Sequence, residues 1–325
     1  MALTRRTFLA TSTVALAAGT LGRIAWPPVA MSAQAQQQAP PTPEVKAIRR
    51  NVGTFTMQGG TIGWLVNDAG AVAVDSQFPN PAQVCVDDLL KRSGKTEIAM
   101  LINTHHHGDH TGGNGVFRPK TKTIVGHENV PKYMLATHKA TRDRRAQQNP
   151  PPTTPAPAEP TLPDTTFAET WSSAFGDEQI RSRHYGPAHT GGDIVILFEK
   201  ANVAHMGDLM FNRAHPVIDR TNGASIAGWI KTLRSVSSEL PADTIYIFGH
   251  AAQGRDVTGA RADLLHHANY LEALLAFVGA KITAGLTREQ VLAIRDVIPG
   301  FDDYGPLVAR PLPAAFDEIT AGGRP

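Results

Sequence analysis

Apolar positions along the chain change their spacing in a readable way. From Gly53 to Asp75 the run GTFTMQGGTIGWLVNDAGAVAVD breaks into short apolar stretches separated by glycine and polar pairs. That pattern predicts short strands, with a hairpin turn at Asn67-Asp68-Ala69-Gly70. The spacing then lengthens to three and four in PAQVCVDDLLKRSG, which predicts an amphipathic helix over 81–93, capped by Asn80, opened by Pro81 and stopped by Gly94. The unbroken run IAMLIN, 98–103, reads as a buried strand. Further strands are expected at 179–185, 193–199, 202–206 and 244–248. Helices are expected at 223–237, 256–282 and 287–297, the last opened by a capping box of Thr287 with Gln290. Strands alternating with helices in this order predict an α/β domain over 47–297.

Composition interrupts the pattern in three places. Residues 141–164, TRDRRAQQNPPPTTPAPAEPTLPD, carry seven prolines between 150 and 163, which forbids helix or central strand there. We read this segment as an insertion within one domain, because candidate ligand residues lie on both sides of it. Residues 36–46, starting QQQAPPTP, read as a disordered leader, and 298–325 is too rich in Pro and Gly to receive an element and is taken as a tail. At the N-terminus, Thr4-Arg5-Arg6-Thr7-Phe8-Leu9 precedes an uncharged run and the small-residue site Ala33-Gln34-Ala35. Residues 1–35 therefore read as a twin-arginine export signal, which implies a bacterial protein bound for the periplasm or secretion. The run is too short and too rich in Thr, Ala and Gly to favour a retained membrane anchor.

Charge changes the picture once the signal is set aside. The full chain has 31 Lys and Arg against 29 Asp and Glu; without Arg5, Arg6 and Arg23 the balance is 28 against 29, or −1. No basic face for nucleic acid is expected. The single cysteine, Cys85, rules out an internal disulfide and reads as a small core residue.

The chemistry gathers after the strand at 98–103. INTHHHGDHTGG, 102–113, puts His105, His106, His107, Asp109 and His110 within six positions. His105 and His107 are two apart on extended backbone, so both imidazoles face one side and can grip one ion. Gly108 then lets the chain turn, and Asp109 with His110 can serve a neighbouring position. Imidazole and carboxylate together suit zinc, with iron or manganese as alternatives.

THHHGDHTGG closely resembles the signature of the metallo-β-lactamase-fold hydrolases, and the resemblance extends over nearly all of 50–255. AVAVDS, ending on Asp75, is similar to the family's first motif, whose aspartate supports the metal loop. GPAHTGGD supplies His189, HMGDLMF supplies Asp208, and YIFGHAAQG supplies His250. The resemblance implies an αββα sandwich. It also implies a first metal held by His105, His107 and His189, and a second held by Asp109, His110 and His250. Asp208 would bridge the two. An aspartate at the bridging position looks like the glyoxalase II and lactonase branches, where true β-lactamases usually carry Cys or Ser.

A complete ligand set points to a hydrolase in which a hydroxide between two zinc ions attacks the carbonyl of a small molecule: an ester, lactone, thioester or amide. Asp109 would orient the nucleophile and carry its proton. The alternatives are β-lactamase activity proper, a mononuclear iron sulfur dioxygenase, and an exported zinc-binding protein without activity. Of the other histidines, His106 should point away from the metals, His205 should be packed or support a ligand, and His215 is a candidate for lining the pocket. His127, His138, His184, His266 and His267 read as packing residues.

Overall fold

The computed structural model describes residues 41–150, 152–154 and 158–322. The expected export signal and the first residues of the leader lie outside them. Two sheets face each other. The first has seven strands in chain order: β1 (Glu44–Arg49), β2 (Val52–Thr56), β3 (Ile62–Asn67), β4 (Gly70–Val74), β5 (Ile98–Ile102), β6 (Thr121–His127) and β7 (Thr165–Phe167). The first four run antiparallel, and β4, β5, β6 and β7 run parallel. The second sheet is built from β8 (Thr170–Phe175), β9 (Glu178–Arg183), β10 (Val195–Phe198), β11 (Val203–His205), β13 (Ile245–Ile247) and β15 (Thr258–Gly259). A two-strand ladder, β12 (Phe211–Asn212) with β14 (His250–Ala251), stands apart. Asn67 pairs with Gly70 across the predicted hairpin turn.

Side-chain direction sets the layers. On β4, Val72 and Val74 point into a core between the sheets with Leu65, Ile102, Ile180, Ile196 and Val203. Ala71 and Ala73, on the other face, meet Ala82, Cys85, Val86 and Leu89 of helix α1 (Pro79–Ser93). This is the alternation a strand buried on both faces requires. The outer face of the second sheet packs against α5 (Ile226–Glu239), α6 (Arg261–Thr283), α7 (Arg288–Leu292) and α8 (Leu312–Thr320) around Trp229, Leu233, Leu271 and Leu274. Helix, sheet, sheet, helix: the fold is an αββα sandwich. Short helices α2 (Gly108–Thr111) and α3 (Asn114–Phe117) cross the top edge, and α4 (Asn129–Ala146) follows β6. None of the described helices is long and apolar enough to cross a membrane.

Several boundaries differ from the sequence pattern. Helix α1 starts at Pro79 with Phe78 in the cap position and no side-chain cap, not at Pro81 behind Asn80. A proline in the first turn has no amide hydrogen to satisfy, so the helix opens without a polar cap. Strand β1 begins at Glu44, inside the expected leader, because its backbone pairs with β2. Helix α4 continues to Ala146 within the expected insertion and stops just before the prolines begin. The largest difference is at the C-terminus. Ile298, Tyr304, Leu307 and Leu312 are core residues, so the supposed tail completes the outer helical layer. Glu318 of α8 is buried there, and its carboxylate accepts from the backbone amides of Ile226 (2.8 Å) and Ala227 (3.0 Å) and from Arg220 (2.8 Å). It therefore caps the positive end of α5.

Candidate metal centre

Parallel strands end together, and here that brings the polar loops to one edge. β4 delivers Asp75, β5 delivers 103–110, and β11 and β13 deliver Asp208 and His250. His189 arrives on the loop between β9 and β10. The seven residues named as ligands from the sequence fall into two groups, His105, His107, His189 and Asp208, and Asp109, His110 and His250, each with ligand atoms within 4.8 Å of one another.

Back-side hydrogen bonds decide which nitrogen each imidazole presents. His189 Nδ1 donates to the Val217 carbonyl at 2.8 Å, and His107 Nε2 donates to Asp219 Oδ2 at 3.0 Å. Those protons leave His189 Nε2 and His107 Nδ1 bare, and the two face each other at 3.0 Å. Two lone pairs held that close repel unless a cation or proton lies between them. His105 Nε2 points into the same space, buried and without a hydrogen-bond partner. His110 Nδ1 is 2.7 Å from Asp75, so its Nε2 faces Asp208 Oδ1 at 2.9 Å, again acceptor to acceptor unless a cation intervenes. The donor chemistry fits metal ions of the zinc type.

Asp208 stands between the groups. Its Oδ2 lies 3.5 Å from His189 Nε2 and 3.8 Å from His105 Nε2, while Oδ1 lies 2.9 Å from His110 Nε2 and 3.3 Å from His250 Nε2. One carboxylate oxygen serves each group. Gly249 permits this, since a Cβ there would stand 2.1 Å from Asp208 Oδ1. Asp109 Oδ2 is 3.1 Å from His250 Nε2.

Electrostatics express the same demand for positive charge. Burial opposes protonation of His110, but the Asp208 and Asp75 carboxylates outweigh it and raise its pKa well above the ordinary value. Burial likewise works against a charged His250, yet Asp208 and the hydrogen bond to Asp109 lift it to about 9. Burial dominates at His189 and lowers it to about 3. The Asp109 carboxyl is pushed up by burial and pulled down further by His250 and His110, for a net lowering.

The supporting shell was only partly foreseen. Asp75, at φ +66° and fully buried, accepts from the Thr104 amide and hydroxyl (both 2.8 Å) and from His110. Asp193 accepts from the Thr190 amide and hydroxyl at 2.7 and 2.8 Å and braces the His189 loop; burial pushes its carboxyl up to about 7. Asp219 was missed altogether, and its residue type alone, 112 positions from His107, gives no spacing rule that would find it. It also lies 3.3 Å from His106 Nε2, so His106 turns away from both groups and leans on the same carboxylate. His205 is buried, its Nε2 3.2 Å from the Thr61 carbonyl and its Nδ1 accepting from the Gly207 amide. His215, expected to line the pocket, is placed behind the ligands. Both its ring nitrogens are engaged elsewhere, with Tyr270 Oη at 2.7 Å and the Pro306 carbonyl at 3.0 Å, so it ties the C-terminal segment to α6 and lies in neither ligand group.

Comparison with known proteins agrees with this geometry. The family model described as Metallo-beta-lactamase superfamily matches residues 58–250, more than half of the chain, and the chain belongs to that superfamily. With its His and Asp clusters, it is a metallo-hydrolase of that class. It is 23% identical over 220 residues to "Metallo-beta-lactamase type 2" of Elizabethkingia meningoseptica, covering 64% of this chain and 80% of that one. It is 29% identical over 149 residues to "Hydroxyacylglutathione hydrolase" of Shewanella sp. (strain ANA-3), covering 46% of this chain and 48% of the other. Among solved structures, the metallo-beta-lactamase from Pontibacter korlensis has a TM-score of 0.52 at 20% identity, covering 71% of this chain and 99% of that one. The sec-alkylsulfatase Pisa1 from Pseudomonas sp. has a TM-score of 0.62 at 16% identity, covering 85% of this chain and 50% of that one. The chain thus spans about half the length of the Shewanella hydrolase and of the alkylsulfatase.

Proposed function

We propose that this chain holds two zinc ions and hydrolyses a carbonyl-type bond of a small molecule, an ester, lactone, thioester or amide, in the periplasm or outside the cell. One observation carries the reading: the Asp208 carboxylate offers one oxygen to each of two complete ligand groups. A single-iron dioxygenase leaves His110 and His250 without a task, and an inert zinc-binding scaffold has no need of the second, solvent-facing group.

His105, His107 and His189 would hold the first ion and Asp109, His110 and His250 the second, with the Asp208 carboxylate placed between the two groups. When bound, such ions would supply Lewis-acid polarisation and lower the pKa of a bound water. The protein's own part is positional. Asp75, Asp219 and the Val217 carbonyl fix the tautomer and plane of His110, His107 and His189. Asp109, about a third exposed and kept ionised by its lowered pKa, faces the open side, where it orients the attacking water, accepts its proton and passes it toward the leaving group.

The test is metal content by mass spectrometry on protein purified without added metal, with a lactone, an acylglutathione thioester and a cephalosporin assayed alongside. Two zinc per chain and turnover of one of the three is the expected result. One iron per chain with no hydrolysis would overturn the reading in favour of the dioxygenase.

A further inference from the structure

The turn joining β2 to β3, Met57-Gln58-Gly59-Gly60-Thr61, touches Asp109 and His110 of the second ligand group and the residue that precedes His250. The Gly60 amide donates to the Asp109 carbonyl at 3.0 Å. Gly60 lies flat on the His110 ring: a Cβ there would stand 2.1 Å from His110 Cε1 and 2.3 Å from Nε2. Thr61 donates through its amide (2.9 Å) and its hydroxyl (3.1 Å) to the carbonyl of Gly249, the residue before His250. Among the described residues, no hydrogen bond from this turn reaches His105, His107, His189 or Asp208.

Gln77 fastens the turn from below. It is fully buried, sits at φ +53°, and donates from Nε2 to the Gly60 carbonyl at 2.5 Å. Its own carbonyl accepts from the Gly113 amide at 2.8 Å, on the far side of α2. A non-glycine residue keeps a left-handed backbone only where its surroundings hold it there.

We propose that the 58–61 turn is a seat for the second metal alone, and that Gln77 and Gly60 are positioning residues which set the occupancy of that site. The seat confines the His110 ring between Gly60 on one face and Asp75 at Nδ1. It also fixes the backbone from which Asp109 and His250 project. Among the described residues the turn's link toward the first group runs from Thr61 through Gly249 to Asp208; the three histidines of that group rely on Asp219, the Val217 carbonyl and Thr104. Disturbing the seat therefore loosens one ion and spares the other. The proposal rests on the two-metal reading above.

The test uses Gln77→Met, which keeps side-chain volume but removes the amide donor, and Gly60→Ala, which presses on the imidazole. Metal-free full-length protein is titrated with zinc against a chromophoric chelator to give two stepwise constants, and near-ultraviolet circular dichroism checks the fold. The weaker constant is expected to loosen by about tenfold or more, the lower range for losing an outer partner of a metal ligand, with the tighter one nearly unchanged. Both constants weakening together, or neither moving, would overturn the proposal. If Gly60→Ala does not fold, Gln77→Met decides alone. A wild type that takes up one zinc only removes the two-metal reading and this proposal with it; two zinc in the wild type with unchanged constants in the variants removes the proposal alone.

Discussion

The two ligand groups share a carboxylate but live in different surroundings. In the first group His105, His189 and Asp208 are sealed from solvent and His107 is 20% exposed; in the second His110 is sealed, while Asp109 and His250 are 30% and 27% exposed. In the first group each histidine is locked by a separate partner: Thr104 on β5's loop, Asp219 before α5, and the Val217 carbonyl. In the second group His110 is held by Asp75 and, with Asp109 and the backbone before His250, by one glycine turn. A buried ligand that loses its ion leaves unpaired lone pairs in low dielectric, while an exposed one can be hydrated. On the two-metal reading proposed above, the first group would keep its ion and the second would meet substrate and exchange.

The strongest way to break this contrast is to remove what the groups share. Asp208→Ala is expected to empty both sites and abolish turnover, seen as loss of both metals by mass spectrometry; retention of either ion at wild-type affinity would dissolve the bridge. His250→Ala should separate the groups, leaving one zinc per chain and at most residual hydrolysis. A dialysis series against increasing chelator should do the same without mutation, with one zinc leaving well before the other and activity falling with the first loss. Asp219→Asn should weaken the tighter constant by about 10- to 100-fold, the usual cost of an outer-shell carboxylate, and leave the weaker one alone. The smallest effect lies behind both groups, where His267 packs against Trp229 and Phe211. Burial lowers His267 to about 3, so it stays neutral in the fold, while the unfolded chain takes up its proton below pH about 6.5. Its contribution is complete above that pH and is lost as pH falls from 6.5 toward 3, by up to about 1.4 kcal/mol per unit. Urea unfolding at pH 7, 6 and 5 should show a shallower acid loss for His267→Gln; parallel curves would mean the ring is already charged.

What could be read from the sequence follows from how local each signal is. The 105–110 cluster is visible because six consecutive residues on a strand end carry its logic. His189, Asp208 and His250 are ordinary residues in the sequence and stood out only through resemblance to a family pattern. Asp219 and Gln77 escaped both routes, because they act through partners 112 and 17 residues away and their residue types are common on loops. The C-terminal segment misled for a different reason. Its prolines and glycines dilute the apolar pattern: Ile298 and Leu307 reach the core from irregular backbone, whose spacing carries no periodic mark, and Leu312 and Ala315 from a helix of only nine residues. His215 drew notice by its nearness to Asp208 in sequence, and its bonds to Tyr270 and Pro306 have no signal there.

Anyone trimming this chain for expression should treat its last helix as part of the machinery. Glu318 holds Arg220 and the first amides of α5, and the residue beside Arg220 is Asp219, which orients His107. A chain ending at residue 297 is expected to be soluble only with difficulty and to bind its first zinc less tightly, as the same stepwise titration would report. Its end is a distant handle on the metal.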